Sequence, residues 1–131
     1  MALVNNKQIL RKWLKALQAG DLETMLALQS KDCMWILPGT TKLPWAGRWK
    51  GAARQKIYLK RIESAVDFGR QEFREYIGEG GHIIVTGQEV ARSKPKGKSW
   101  DVTFAWAFKI KRGKLVAWEA YENTEIIAAC Y

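Results

Sequence analysis

Apolar positions in the first half of the chain recur mostly at helical spacing. Between Asn5 and Ala19, Ile9, Trp13 and Leu17 fall at i, i+4 and i+8 with Leu10 and Leu14 beside them, which predicts an amphipathic helix. Gly20 stands where that helix stops. Asp21 is placed to cap a second, short helix, DLETMLALQS (21–30), whose Leu22, Met25, Leu26 and Leu28 face a core. CMWILP (33–38) reads as a short strand. A third helix is predicted over AARQKIYLKRIESAV (52–66), with Tyr58, Ile62 and Ala65 on one face and Leu59 and Val66 adjoining.

From Phe68 onward the period changes to two. Turn signals at GEGG (78–81), KPKG (94–97) and KRGK (111–114) divide this half into strands over about 70–77, 82–93, 99–110 and 115–123, an antiparallel meander. TEIIAACY (124–131) reads as a final short helix or tail. Helices first and long strands after predict an α+β domain in which a curved sheet wraps around the helices. No repeat or linker interrupts residues 1–131, so a single domain is expected.

Composition narrows the class. A chain of 131 residues with 47% hydrophobic content can bury a core without disulfide or metal staples. The formal charge of +9 invites a nucleic-acid reading. The basic residues instead lie dispersed over 7–15, 50–61, 94–98 and 109–114, at helical spacing or in turns, which fits a solvated surface better than a phosphate-tracking tract. No apolar run approaches the roughly 20 residues that span a bilayer. Two cysteines are too few for a disulfide framework, and no basic and apolar leader precedes Leu3, so a reduced, cytoplasmic setting is expected.

The stretch WILPGTTKLPWAGRWKG (35–51) concentrates three indoles around two prolines and two turn glycines. Pro38 and Pro44 stiffen the chain there, while Gly39 and Gly47 permit tight turns. Trp35, Trp45 and Trp49 then either border the mouth of a pocket for a flat ligand or complete a core or subunit contact, since tryptophan serves all three.

WLKALQAGDLETMLALQSKDCMWILPG (13–39), LPWAGRWKG (43–51) and RGKLVAWEAYENT (112–124), in this order of elements, resemble the SnoaL-like branch of the nuclear transport factor 2-like superfamily. That family includes ketosteroid isomerases, polyketide cyclases and limonene epoxide hydrolases. The resemblance implies a cone-shaped, cystatin-like α+β barrel with an apolar pocket between three N-terminal helices and a concave antiparallel sheet, and it implies a homodimer. Because this fold serves enzymes and non-enzymes alike, function has to come from the residues.

The resemblance also says where each chemistry would sit. The isomerases' oxyanion tyrosine falls at Trp13, their base aspartate at Leu37, and their second acidic donor near Ala105 or Trp106. The cyclases' histidine and aspartate fall at Trp106 and Ala120. The hydrolases' Arg-x-Asp and partner aspartate fall at Gln88, Val90 and Ala120. All of these proton carriers are replaced. By the same resemblance Val102, Phe104, Trp106 and Phe108 face the cavity, leaving Asp101, Thr103, Ala105 and Ala107 on a face available to a second subunit.

Weak catalytic candidates remain. Glu122 is in register with Trp118 and Ala120 and would gain basicity in an apolar site; a strand-end carboxylate is more ordinarily exposed. Gln88 is a neutral hydrogen-bonding group on the presumed cavity face, and Tyr58 can present its hydroxyl there or at the surface. His82 reads as a solvated strand start, Cys33 and Cys130 lack metal or nucleophile spacing, and Asn123-Thr124 reads as a helix cap. The expected ligand-binding set is Trp13, Trp35, Leu37, Trp45, Tyr58, Gln88, Phe104, Trp106 and Ala120, with no metal and no cofactor. The first functional reading is a pocket for a hydrophobic, cyclic small molecule with proton-transfer chemistry open to it. The second is a non-catalytic binding or dimeric assembly module whose aromatic cavity is filled.

Overall fold

The structure is a computed structural model that describes residues 2–131, with side chains described from Asn5 onward. Helix α1 (Ala2–Ala19) buries Leu10, Trp13 and Leu14 and ends at Gly20, whose φ of 67° is the left-handed conformation that glycine adopts without steric cost. Asp21 caps α2 (Leu22–Leu28), its carboxylate accepting from the Thr24 N–H at 3.1 Å. Strand β1 (Gln29–Leu37), strand β2 (Gly47–Lys50) and helix α3 (Ala52–Ala65) follow. The long strands β3 (Val66–Glu79), β4 (His82–Ser93), β5 (Ser99–Lys111) and β6 (Lys114–Glu122) complete the sheet, and α4 (Thr124–Ala128) closes the chain under an Asn123 cap.

The strands form one curved, unclosed sheet in the order β2-β1-β6-β5-β4-β3. Three features depart from the pattern-based expectation. The meander β3 to β6 is antiparallel, but β1 lies parallel to β6, pairing Trp35 with Trp118. Gly47–Lys50, expected as loop, is a strand antiparallel to β1 with Trp49 opposite Trp35. Gln29 and Ser30, expected in the second helix, open β1, because extended backbone at Gln29 carries its side chain into the core. Strand β3 shifts register between Phe68 and Arg70 and again between Phe73 and Glu75, and such bulges bend and twist a strand.

Burial alternates cleanly along β5: Trp100, Val102, Phe104, Trp106, Phe108 and Ile110 face inward, as the aromatic alternation predicts. Cross-strand register then stacks inward residues in rows. One row runs Trp49, Trp35, Trp118, Phe108, Ile83 from β2 to β4. Trp13 of α1 packs onto it with ring centroids 5.7 Å from Trp35, 5.6 Å from Phe108 and 5.4 Å from Trp118, edge to face in each case. Aromatic quadrupoles favour that geometry over a face-to-face sandwich.

All seven tryptophans are buried, and a buried indole N–H needs an acceptor. Gln29 supplies one oxygen to two of them, accepting from Trp13 Nε1 at 3.1 Å and Trp35 Nε1 at 3.3 Å. Its amide nitrogen must then point the other way, and it donates to Gln55 Oε1 at 2.6 Å. Gln55 Nε2 donates in turn to the backbone oxygens of Cys33 (2.8 Å) and Trp49 (3.0 Å). An indole nitrogen only donates and a carbonyl only accepts, so this orientation of both amides is the one that satisfies every group.

Gln55 is completely buried, and its removal would orphan the Gln29 amide donor and take one bond each from the Cys33 and Trp49 carbonyls. Gln55→Ala is expected to cost about 3 kcal/mol or more, combining unsatisfied polar groups with a cavity. Lys56→Ala, one residue away on the exposed face, is expected to stay within about 0.5 kcal/mol of wild type. Urea denaturation of both variants checks the difference.

Candidate functional site

Between α1, α3 and the inner sheet face lies a cavity of about 260 Å³. Its aromatic wall is Trp45, Tyr58, Phe68, Trp100, Trp106 and Trp118, joined by aliphatic side chains of Leu17, Leu37, Leu59, Ile62 and Val66. Its border carries the amides of Gln18 and Gln71 and the carboxylates of Glu89 and Glu122, and among the described residues no lysine, arginine or histidine lines it. The volume lies a little below the roughly 300 Å³ where most ligand pockets begin, and well above the ~150 Å³ cavity that admits benzene.

Glu89 reaches this cavity because β4 alternates Ile83, Val85, Gly87, Glu89, Ala91 and Ser93 inward. Gly87 matters to the same face: a Cβ there would sit 2.4 Å from the Phe104 ring and 2.1 Å from the Glu72 carbonyl oxygen. Register places Glu89 in the row Gln71, Glu89, Val102 and Glu122 in the neighbouring row Phe73, Gly87, Phe104, Glu122. The two carboxylate-bearing positions are therefore two strands and one row apart, about 12 Å between backbones from standard sheet spacing. Both side chains point to the concave side, which brings their ends into one cavity.

Each carboxylate is held by an indole of β5. Glu89 Oε2 accepts from Trp100 Nε1 at 3.0 Å, and its Oε1 accepts from Gln71 Nε2 at 2.8 Å. Among the described residues, Glu122 Oε1 accepts only from Trp106 Nε1, at 3.1 Å. Burial raises both acids above the ordinary carboxylate range because it penalises the charged form. At Glu89 the two N–H donors oppose the shift. At Glu122 the Glu89 charge adds to burial, one donor opposes it, and the group is pushed up to about 8. Tyr58 stands in the same field: burial first, then Glu122 and Glu89, hold its phenol well above its usual range. At neutral pH Glu122 therefore keeps most of its proton, while the two N–H donors at Glu89 favour that group's charged form.

Of the residues expected to bind ligand, Leu37, Trp45, Tyr58 and Trp106 border the cavity, as does Glu122. Trp13 and Trp35 do not; they are wholly buried behind it with their N–H groups spent on Gln29. Phe104 stacks on Trp106 at 4.5 Å and covers Gly87, and Ala120 is buried opposite Trp106 without bordering the cavity. Gln88, expected on the cavity face, lies on the outer face, where its amide donates to Asp101 Oδ1 at 2.6 Å and accepts from Arg74. The physical reason is the two-residue period: shifting a strand by one position exchanges its faces. That same shift concealed Glu89, although the apolar phase of Ile83 and Val85 already marks its side of β4.

Trp100 and Trp118 also border the cavity and were not singled out by the sequence. Trp100 joins Trp45 and Tyr131, at centroid distances of 6.5 and 5.9 Å, and the Tyr131 hydroxyl donates to the Ala65 carbonyl at 2.6 Å. The Trp118 N–H has no hydrogen-bond partner among the described residues. Cys33 is buried and its thiol is pushed up to about 12, which removes it as a nucleophile. His82 opens β4 on the surface.

A family model for the SnoaL-like domain matches residues 10–118. Among solved structures, a nuclear transport factor 2-like protein from Burkholderia xenovorans LB400 is similar with a TM-score of 0.88 and 25% identity, covering 96% of this chain and 95% of its own. TerC, co-crystallised with polyporic acid, is similar with a TM-score of 0.85 and 20% identity over 96% and 97% of the two chains. An epoxide hydrolase of M. tuberculosis, described as LEH-like, has a TM-score of 0.71 and 18% identity over 94% and 86%. No curated protein matches the chain. No helix among the described residues is long and apolar enough to cross a membrane. The matched span runs from the first helix to the last strand and carries Trp13, Gln29, Tyr58, Glu89 and Trp118 with it, and on that match the chain belongs to the SnoaL-like domain family.

Proposed function

We propose that this protein binds a small, flat, largely apolar ring compound in the cavity and moves a proton on it, with Glu89 as base and Glu122 as acid. The observation that carries this reading is the pair of carboxylates on one concave face, held by two indoles and bordered by aromatic rings. Catalytic proton transfer needs a group that can accept and a group that can donate at the same pH. Two acids in one apolar site meet that need when their environments separate their affinities for a proton. Here the separation comes from Glu89 having two N–H donors and Glu122 having one.

The open cavity favours this reading over a module whose aromatic interior is filled. TerC, of the same fold, was co-crystallised with a small molecule, which fits a ligand-binding role for the shared shape. Two buried free cysteines fit a reducing, cytoplasmic setting. A homodimer through the outer face of the meander is part of the proposal: Ile77, Ile84 and Ala107 share one outward row, with the exposed Tyr121 in the next.

Three measurements test these points. 2-Tetralone, a two-ring ketone used here as a probe, should exchange its α-protons with D2O faster in the presence of the protein, followed by NMR. Glu89→Gln should lower that rate by about 100-fold or more, the usual scale for a general base. An absence of exchange above the buffer rate, or a rate insensitive to Glu89→Gln, contradicts the assignment.

The second measurement is stability against pH. Glu122 binds its proton more tightly folded than unfolded, so the folded state carries more protons between about pH 4.5 and 8. Stability from this group is fully present below that window and is lost as pH rises through it. The melting temperature of wild type should therefore fall from pH 5 to pH 8.5, on a scale of roughly 4 °C per kcal/mol, and Glu122→Gln should flatten the fall. Thirdly, sedimentation at micromolar concentration should show a dimer that Ile84→Glu disrupts.

A further inference from the structure

We infer that the cavity selects an organic cation: a ring-bearing amine or quaternary ammonium whose positive nitrogen sits between the aromatic walls and the Glu89 and Glu122 carboxylates. The inference rests on the cavity being the ligand site, as proposed above, and not on any catalysed step. It starts from charge. Glu89 and Glu122 border the same space, and among the described residues no lysine, arginine or histidine lines it. Buried carboxylates are ordinarily matched by a cation or a metal, since an unpaired buried charge is costly. The structure provides carboxylates on two strands and leaves the balancing charge to whatever enters.

The walls point the same way. The N–H of Trp100 and of Trp106 is already committed to a carboxylate, so what these indoles retain for a ligand is the π system. Trp45, Trp118 and Tyr58 add three more rings around the same volume. Cations are attracted to the negative face of aromatic rings, indole above all, and rings grouped around a small space form the cage that recognises substituted ammonium groups. An anionic ligand finds two acids and no basic partner. The +9 net charge of the chain does not reverse this, because those charges lie outside the cavity lining and are screened within about 8–10 Å at moderate salt. The apolar side chains Leu59, Ile62 and Val66 give the ring body of such a ligand its contact.

Binding should displace a proton. The titratable groups that face Glu122 are Glu89 on β4 and Tyr58 on α3, with Tyr131 beyond Glu89. A cation beside Glu122 favours its ionised form, so its arrival releases part of the proton that burial holds there.

The test compares benzyltrimethylammonium with neopentylbenzene, its neutral carbon isostere, by tryptophan fluorescence and by calorimetry in two buffers of different ionisation enthalpy at pH 7. The expected result is that the cation binds about tenfold or more tightly than the isostere and releases a fraction of a proton. Glu89→Gln and Glu122→Gln, each checked as folded by its thermal melt, should weaken the cation about tenfold and leave the isostere unchanged or tighter. Equal or tighter binding of the isostere to wild type overturns the cation inference and leaves the cavity standing as an apolar ligand site. If neither compound binds at millimolar concentration, both the inference and the ligand-site reading fall.

Discussion

The rest of the structure depends on two buried glutamine side chains. Gln29 and Gln55 link α1, β1, β2 and α3 through one directed run of hydrogen bonds, from two indole donors to two backbone acceptors. The aromatic interior creates the need for it. Tryptophan fills a small core efficiently but brings an N–H into a place without water. An all-apolar answer at positions 29 and 55 would leave those donors unmet and take a bond from each of the Cys33 and Trp49 carbonyls. The amide run settles them and fixes the angle at which α3 meets the sheet, and so the position of Tyr58 against Trp35 and Trp49.

The same problem is solved differently one layer out. Trp100 and Trp106 hand their N–H groups to carboxylates instead of amides, which turns a packing necessity into an electrostatic site. Glutamine accepts such a bond with no change of charge, whereas a glutamate in the same surroundings acquires an altered affinity for protons. Core and cavity are thus built from one aromatic material, and what distinguishes them is the group each indole meets.

The α+β order, the helix stop at Gly20 and the three hairpin turns were legible in the sequence, because each rests on local spacing or a turn residue; the inward aromatic face of β5 was legible from its alternation together with the family resemblance, and the third helix ends one residue before its expected limit. The family was legible from three quoted stretches and is shown by the match over residues 10–118. The parallel β1–β6 pair was not, since nothing local specifies a partner some eighty residues away in the chain. Gln29 looked like the polar end of a helix, because polarity is read as exposure until a buried donor claims it, and nothing local set Gln55 apart on the third helix. Glu89 was lost to a one-residue assignment of β4 that put Gln88 inside. Trp35 and Trp13 were expected around the ligand because large aromatic residues serve walls and cores alike, and only their partners decide which.

The β1–β6 ladder has a consequence for how the chain assembles. β6 sits between β5 and β1, so the sheet gains its middle strand only after residues 114–122 have emerged from synthesis. Until then β1 and β2 form an isolated two-stranded ribbon, a unit that is marginal in water. Joining them to β6 closes a loop through α3 and the entire hairpin array, a contact of long sequence separation and the kind that slows folding. An unfinished chain therefore leaves Trp35 and Trp49 without their β6 neighbours from the synthesis of Lys50 until that of Lys114–Glu122, about half of the chain, and it is during that interval that this tryptophan-rich sheet has most need of a chaperone.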